Sequence, residues 1–153
     1  MNAFGELRHY REAMLAVWEA QPAALAAAWH ALPAARQAAR GAGSPYEALL
    51  AFCRWEEAVG FPNLMALLRG EAPRFVLPAA FPAEAPLPAA LLASCASRRA
   101  EVRARLHALD AAGWSQAGRH PRFGRRTVQW WVERSLAAGR MVLRRLSPEE
   151  VSR

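Results

Sequence analysis

The chain has 153 residues, 54% of them hydrophobic and 22% charged, with a formal net charge of +7. This is a globular composition, which excludes an intrinsically disordered chain, and the length suits one domain spanning residues 1–153. Isoleucine is absent and threonine occurs once, at Thr127, while alanine and leucine abound, so helix is expected over sheet.

In chain order, a first helix is expected from about Ala3 to Ala20, with Leu7, Tyr10, Met14, Val17 and Trp18 facing the core at three-four spacing. Pro22 should open a second, shorter piece ending near Leu32. Pro33 to Gly43 reads as a loop. Ser44-Pro45-Tyr46-Glu47 is a helix start: the serine hydroxyl caps free N–H groups, proline suits the first turn, and Glu47 completes a capping box. The stripe that follows is Ala48, Ala51, Phe52, Trp55, Ala58, Val59 and Pro62. Pro62 should kink or end this helix before a last segment reaching Leu68, with Arg69-Gly70 as the stop.

Prolines 73, 78, 82, 86 and 88 interrupt the next stretch, which reads as a long crossover from Glu71 to Pro88. The third helix, about Pro88 to Ala111, places Leu91, Cys95, Val102, Leu106 and Leu109 on one face, and Gly113 ends it. Trp114 to Arg126 reads as a polar, basic loop. Thr127 then caps a fourth helix whose inward stripe is Val128, Trp131, Ser135, Ala138, Val142 and Leu146, with Ser147-Pro148 as its stop. The expected fold is all-α: an antiparallel four-helix bundle with a long crossover between the second and third helices.

Cys53 and Cys95 lie far apart without a CxxC, which suits buried free thiols in a reduced, cytoplasmic setting. No signal peptide is recognised at the start and no stretch is apolar enough to span a bilayer, so no membrane partner is expected.

Two stretches resemble a known family. Ser44 to Glu56, SPYEALLAFCRWE, is similar to the second helix of DinB-like proteins (the damage-inducible, DinB/YfiT type). That helix often reads Ser-x-x-(Asp/Glu)-Val-Leu-Ala-His-Leu-x-x-Trp-Glu. His120 to Leu146, HPRFGRRTVQWWVERSLAAGRMVLRRL, resembles the end of that domain, where a His-Pro-x-x-Gly-x-x-Thr-Leu loop precedes a helix carrying His-x-x-x-His. In the family three histidines commonly bind a divalent metal, because residues i and i+4 share a helix face and a third ligand comes from a facing helix.

Aligned on Trp55-Glu56, the first ligand position is Ala51. Aligned on Thr127, the other two are Ala138 and Val142. None can coordinate a metal, so the resemblance implies a member without the metal site, and no cofactor is expected. His9, His30, His107 and His120 show no i, i+3 or i+4 pairing and read as surface or capping residues. The vacated site would be an apolar pocket or filled core around Ala51, Trp55, Trp131, Arg134, Ala138 and Val142, with filling by the two tryptophans slightly preferred.

Other chemistry is sparse. Arg134, and Arg98 beside the Cys95–Val102 seam, could hold an anionic group, although stems packed at the core edge explain them as well. Glu56 and Glu57 are adjacent and splay around a helix, so no paired-carboxylate device is expected. Trp130-Trp131 reads as one boundary and one core residue. Arg119, Arg122, Arg125 and Arg126 form the densest basic segment, where an anionic partner would dock.

Resemblance would suggest descent from metal-dependent transferases that use small thiols, but that mechanism needs the metal. The expected function is therefore a metal-free binding or interaction module for a small ligand or a partner protein, with a homodimer possible. The alternatives are a thiol-dependent transferase or hydrolase with a relocated, non-metal site, and a weak nucleic-acid association driven by the arginines. The scattering of those arginines along the chain makes nucleic acid the less favoured partner.

Overall fold

The computed structural model describes residues 3–72 and 84–147. The centre of the predicted crossover, residues 73–83, lies outside them, as do Pro148 and the residues after it. The described chain is mostly helical, with one small two-stranded sheet. Helix α1 spans Ala3–His30, α2 Ala34–Ala38 and α3 Pro45–Trp55. A π-helical segment, Glu56–Gly60, leads into α4, Phe61–Leu68. Helix α5 is Pro88–His107 and α6 Ala111–Ser115; strands β1, Ala117–His120, and β2, Gly124–Thr127, precede α7, Val128–Leu146. Among the described residues no helix is long and apolar enough to cross a membrane.

Helix α1 does not break at Pro22, contrary to the two pieces expected. An interior proline costs about 3 kcal/mol, but here two effects oppose it. The flanking run Ala23 to Ala28 is strongly helix-forming, and Leu25 and Trp29 continue the buried line of Met14, Trp18 and Gln21. Burying two large side chains at about 1.5–3 kcal/mol each outweighs the proline. The same line displaces the expected stripe: Leu7, Tyr10 and Val17 are exposed, and Leu15 is buried instead.

The Ser44 cap forms as read from the sequence, while Glu47 closes on Gly43 rather than on the Ser44 N–H of a capping box. Its hydroxyl accepts from Glu47 N at 3.2 Å, and the Glu47 carboxylate accepts from Gly43 N at 2.8 Å. The inward face of α3 is rotated from the expected one: Leu49, Phe52 and Cys53 are buried and Ala51 is exposed. Its continuation is Glu56, a buried carboxylate that the expected stripe does not include. Pro62 neither ends nor separates the helix. It falls in the first turn of α4, and the widened π turn before it shifts the hydrogen-bond ladder, with Phe61 N donating to Glu56 O.

Contacts between helices fix their directions. Arg11 bonds Gln129 and Gln21 reaches Leu136, so α1 and α7 run the same way. Tyr46 reaches Pro86 and Cys53 reaches Leu91, so α3 and α5 share a direction. Glu19 meets Arg103 while Gln21 meets Arg99, so α5 runs opposite to α1.

The third predicted helix is shorter than expected. It stops at His107, and Asp110 caps the separate α6 by accepting from Gly113 N, so Gly113 lies within a helix rather than ending one. The predicted basic loop is partly ordered as a hairpin pairing Ala117 with Thr127 and His120 with Gly124. Gly124 has φ +72°, the left-handed position that a three-residue connection requires. Thr127 caps α7 by accepting from Trp130 N at 3.1 Å.

Burial divides into two apolar clusters. One gathers Met14, Trp18, Leu64, Leu67, Val102, Leu106, Trp114, Val128 and Trp131; the other gathers Leu25, Trp29, Leu49, Phe52, Leu91, Cys95, Val142 and Leu146. Between them, each long helical segment contributes one polar residue: Gln21 from α1, Glu56 from the π segment, Arg99 from α5 and Ser135 from α7.

Candidate functional site

The polar layer is a connected network. Glu56 Oε1 accepts from Arg99 Nη2 at 2.7 Å, from Arg99 Nε at 3.1 Å, and from Ser135 Oγ through a short bond. Arg99 Nη2 also donates to Gln21 Oε1 at 3.1 Å, and Gln21 Nε2 donates to Leu136 O at 3.0 Å. Glu56 Oε2 faces Cys95 Sγ at 3.7 Å and Arg98 Nη2 at 3.8 Å. The Arg99 guanidinium stacks on Trp18, 3.8 Å from the ring centroid, and Trp18 Nε1 donates to Arg99 O.

Glu56 and Arg99 are each only 3% exposed. An isolated charge at such depth would be prohibitive, so the pair exists by mutual neutralisation and hydrogen bonding. The backbone makes room on two sides. Gly139 presents no side chain where Gln21 lies, and Gly60 lets the Trp55 ring rest against the helix, 2.7 Å from where a Cβ would be.

A small, partly open cavity of about 10 Å³ adjoins the layer, lined by Trp18, Glu56, Arg98, Arg99, Trp131 and Ser135 among others. Titratable groups converge here, but the space is at most that of a single water molecule. The thiols nearby are poor nucleophiles. Burial pushes Cys53 up to about 11, with Arg98 opposing and Glu56 reinforcing, and burial together with Glu56 pushes Cys95 up to about 12.

The six residues of the expected vacated site do not share a cavity. Ala51 is exposed; Trp131 is buried in the first cluster with half-buried Trp55 packed on it; Val142 and half-buried Ala138 belong to the second. Arg134 is exposed on the far side of α7. Arg98 does flank its seam, half-buried, while its neighbour Arg99 is the residue turned inward. The spacing held that signal, since Cys95, Arg99, Val102 and Leu106 form one continuous helical stripe, as do Trp18, Gln21 and Leu25.

Among the expected surface histidines, His9, His30 and His107 are exposed. His107 pairs with Glu19, which holds that carboxylate below its usual range. His120 is instead buried. Its Nδ1 accepts from Arg122 N at 3.1 Å and Phe123 N at 3.3 Å, and its ring packs on Phe123 and Trp131. Burial, aided by the Arg122 charge, lowers its pKa. No group of three or more His, Cys, Asp or Glu among the described residues is placed to hold a metal ion.

The basic segment is a hairpin surface. Arg119 and Arg125 are directly opposed across the strands, both exposed, and Arg122 sits exposed in the connection. Arg126 is half-buried over Trp130, 4.8 Å from its ring centroid.

A larger concavity, about 520 Å³, runs between α1 and α7. Ala13, Met14, Val17 and Ala137 make its apolar floor, and Arg134 and Arg140 stand on its rim. Glu133, also on the rim, is engaged by Tyr10 Oη at 3.0 Å and Gln129 Nε2 at 2.9 Å. The exposed side chains Phe4, Leu7, Tyr10 and Val17 of α1 and Met141 of α7 add to the helices' unburied apolar surface. No protein-family model matches this chain, and no curated protein matches it.

Proposed function

We propose that the chain is a metal-free member of the DinB-like group, an antiparallel four-helix bundle that acts as a binding module rather than a catalyst. The observation that carries this is the α1–α7 groove, whose apolar floor is left uncovered beside unpaired cations. A second apolar stripe on a helix already buried along its first stripe is a surface for a partner. The open trough suits an amphipathic helix laid along it better than a small molecule needing enclosure.

Arg134 and Arg140 make no ion pair among the described residues, and the chain carries +7 overall. Both facts favour an acidic partner helix over a second copy of this chain, since two such rims would repel. The enzyme reading is less favoured. The convergent polar groups around Glu56 have no room for an organic substrate, and both nearby thiols are held protonated.

The test is titration with a labelled acidic amphipathic helical peptide and its lysine-substituted counterpart. Binding of the acidic peptide, weakened by salt and lost in Val17→Asp without a change in Tm, supports the reading. Equal binding of both peptides, or a dimer in solution that Val17→Asp disrupts, would replace it.

A further inference from the structure

The two ends of the α1–α7 groove differ. Its α7 wall runs from Trp130 to Arg140, about 15 Å, which is close to three turns of a helix laid along it. Because α1 and α7 run the same way, the end marked by Tyr10 and Trp130 lies toward the start of both helices. There α7 begins at Val128, just before Trp130, while α1 reaches back to Ala3 and leaves Leu7 and Phe4 exposed beyond Tyr10.

That end leads into the β1–β2 hairpin. Trp130 carries the Arg126 guanidinium 4.8 Å above its ring and meets Phe123 at 5.7 Å, and Arg122 lies 5.5 Å from the Phe123 ring. Arg119 and Arg125, both exposed, face each other on the strands. Glu6, one turn before Tyr10, offsets one of these cations. Glu133 is already engaged by Tyr10 and Gln129, and Glu12 by Arg8. The opposite end holds Arg140 and, one turn on, exposed Arg144, where the carbonyl end of α7 opposes their charge. Positive potential is therefore concentrated at the Trp130 end, and the N–H end of α7 adds to it. A helix is negative at its own C-terminus, so an incoming helix is favoured in one direction.

We infer that the groove takes its partner in a fixed orientation: an amphipathic helix antiparallel to α1 and α7, with carboxylates at its C-terminal end held by Arg119, Arg122 and Arg125. The inference rests on the groove being the binding surface, and adds the direction of the partner and the position of its acidic residues.

The experiment uses two peptides, blocked at both ends and stapled to equal helicity, with one apolar face in common. One carries its glutamates in the last turn, the other in the first. Both are titrated into the full chain by fluorescence anisotropy. A nitroxide is also placed at either end of the first peptide, and the broadening of the protein's amide signals is read by NMR. The peptide with C-terminal glutamates should bind about threefold more tightly than its counterpart. A nitroxide at its C-terminus should broaden Gly118 and Gly124, and one at its N-terminus Arg140 and Met141. Arg119→Gln/Arg122→Gln/Arg125→Gln should weaken that peptide about tenfold without a change in Tm. Equal affinities, the reverse broadening pattern, or undiminished binding in the triple variant would each overturn the orientation while leaving the groove as the binding surface. Binding of neither peptide would remove the groove reading and this inference with it. The nitroxide measurement on the wild-type chain decides the direction even if the variant hairpin does not fold.

Discussion

Gln21 occupies the space that a side chain at Gly139 would need: a Cβ there would lie 2.3 Å from Gln21 Oε1. Helix propensity alone favours Gly139→Ala by about 1 kcal/mol. The displaced amide, however, would lose buried bonds to Leu136 O and Arg99, at about 1–3 kcal/mol for each group left unpaired. Gly139→Ala should therefore be destabilising by about 1–3 kcal/mol in urea unfolding. The double variant Gln21→Ala/Gly139→Ala should lose less than the sum of the singles, and strict additivity would show that the two residues do not compete for space.

Glu56→Gln should be among the most damaging single changes. It leaves Arg99 buried without its counter-charge, at about 3–5 kcal/mol. Replacing both partners, as in Glu56→Leu/Arg99→Met, should recover much of that loss, because neither desolvated charge remains. Denaturant midpoints of the three proteins check this; a double variant as unstable as Glu56→Gln would show that the layer's geometry matters more than its charge balance.

The thiols set an alkaline limit. Cys53 and Cys95 hold their protons more tightly when folded, up to about 11 and about 12 against an ordinary 9.0. Their contribution is complete below the unfolded value and disappears as pH rises through the folded ones. Stability should fall between about pH 9 and 12. At pH 8 both thiols should resist alkylation until denaturant is added. Cys53→Ala/Cys95→Ala should flatten the alkaline slope at a cost in packing, as followed by unfolding at several pH values.

His120 works in the opposite direction. Its neutral Nδ1 accepts two backbone N–H groups, and its folded pKa lies below the ordinary imidazole value, 6.5. The stability it contributes is present above that value and is lost as pH falls through the folded one. Hydrogen exchange at Arg122 and Phe123 should quicken in acid. His120→Asn, which keeps an acceptor that does not titrate in this range, should remove the step.

Arg119 and Arg125 face each other across the hairpin with like charge. Opposed like charges weaken an antiparallel pair, so Arg125→Glu should stabilise by about 0.2–1 kcal/mol, more at low salt than at high. A loss of stability on making this change would show that the hairpin depends on the arginine for something besides charge.

Much of the helical layout was legible because it rests on local signals. The Ser44 and Thr127 caps, the α7 stripe from Val128 to Leu146 and the burial of both cysteines follow from spacing and hydroxyl chemistry. What escaped was decided by partners distant in sequence. A carboxylate such as Glu56 gives no sign of burial until Arg99, 43 residues later, is placed against it, and a stripe drawn through apolar residues alone passed it by and took Ala51 as internal. Likewise Leu7, Tyr10 and Val17 have helical spacing, but α1 carries two apolar stripes and periodicity does not say which one meets the neighbouring helices. The hairpin was hidden by its composition, since AGRH and GRRT contain only one β-branched residue, Thr127.

The π segment carries one last implication. Phe52, Glu56, Gly60 and Leu64 are all buried at intervals of four, although an α-helix turns about 40° too far at each such step. The widened turn absorbs that drift, so each side of it is keyed to its neighbours independently. A single codon could be lost between Glu57 and Val59 with neither flank turned away from its contacts. The same loss elsewhere in the stretch from Pro45 to Leu68 would swing everything beyond it by about 100°. This one wide turn is the seam at which the length of the chain is free to vary.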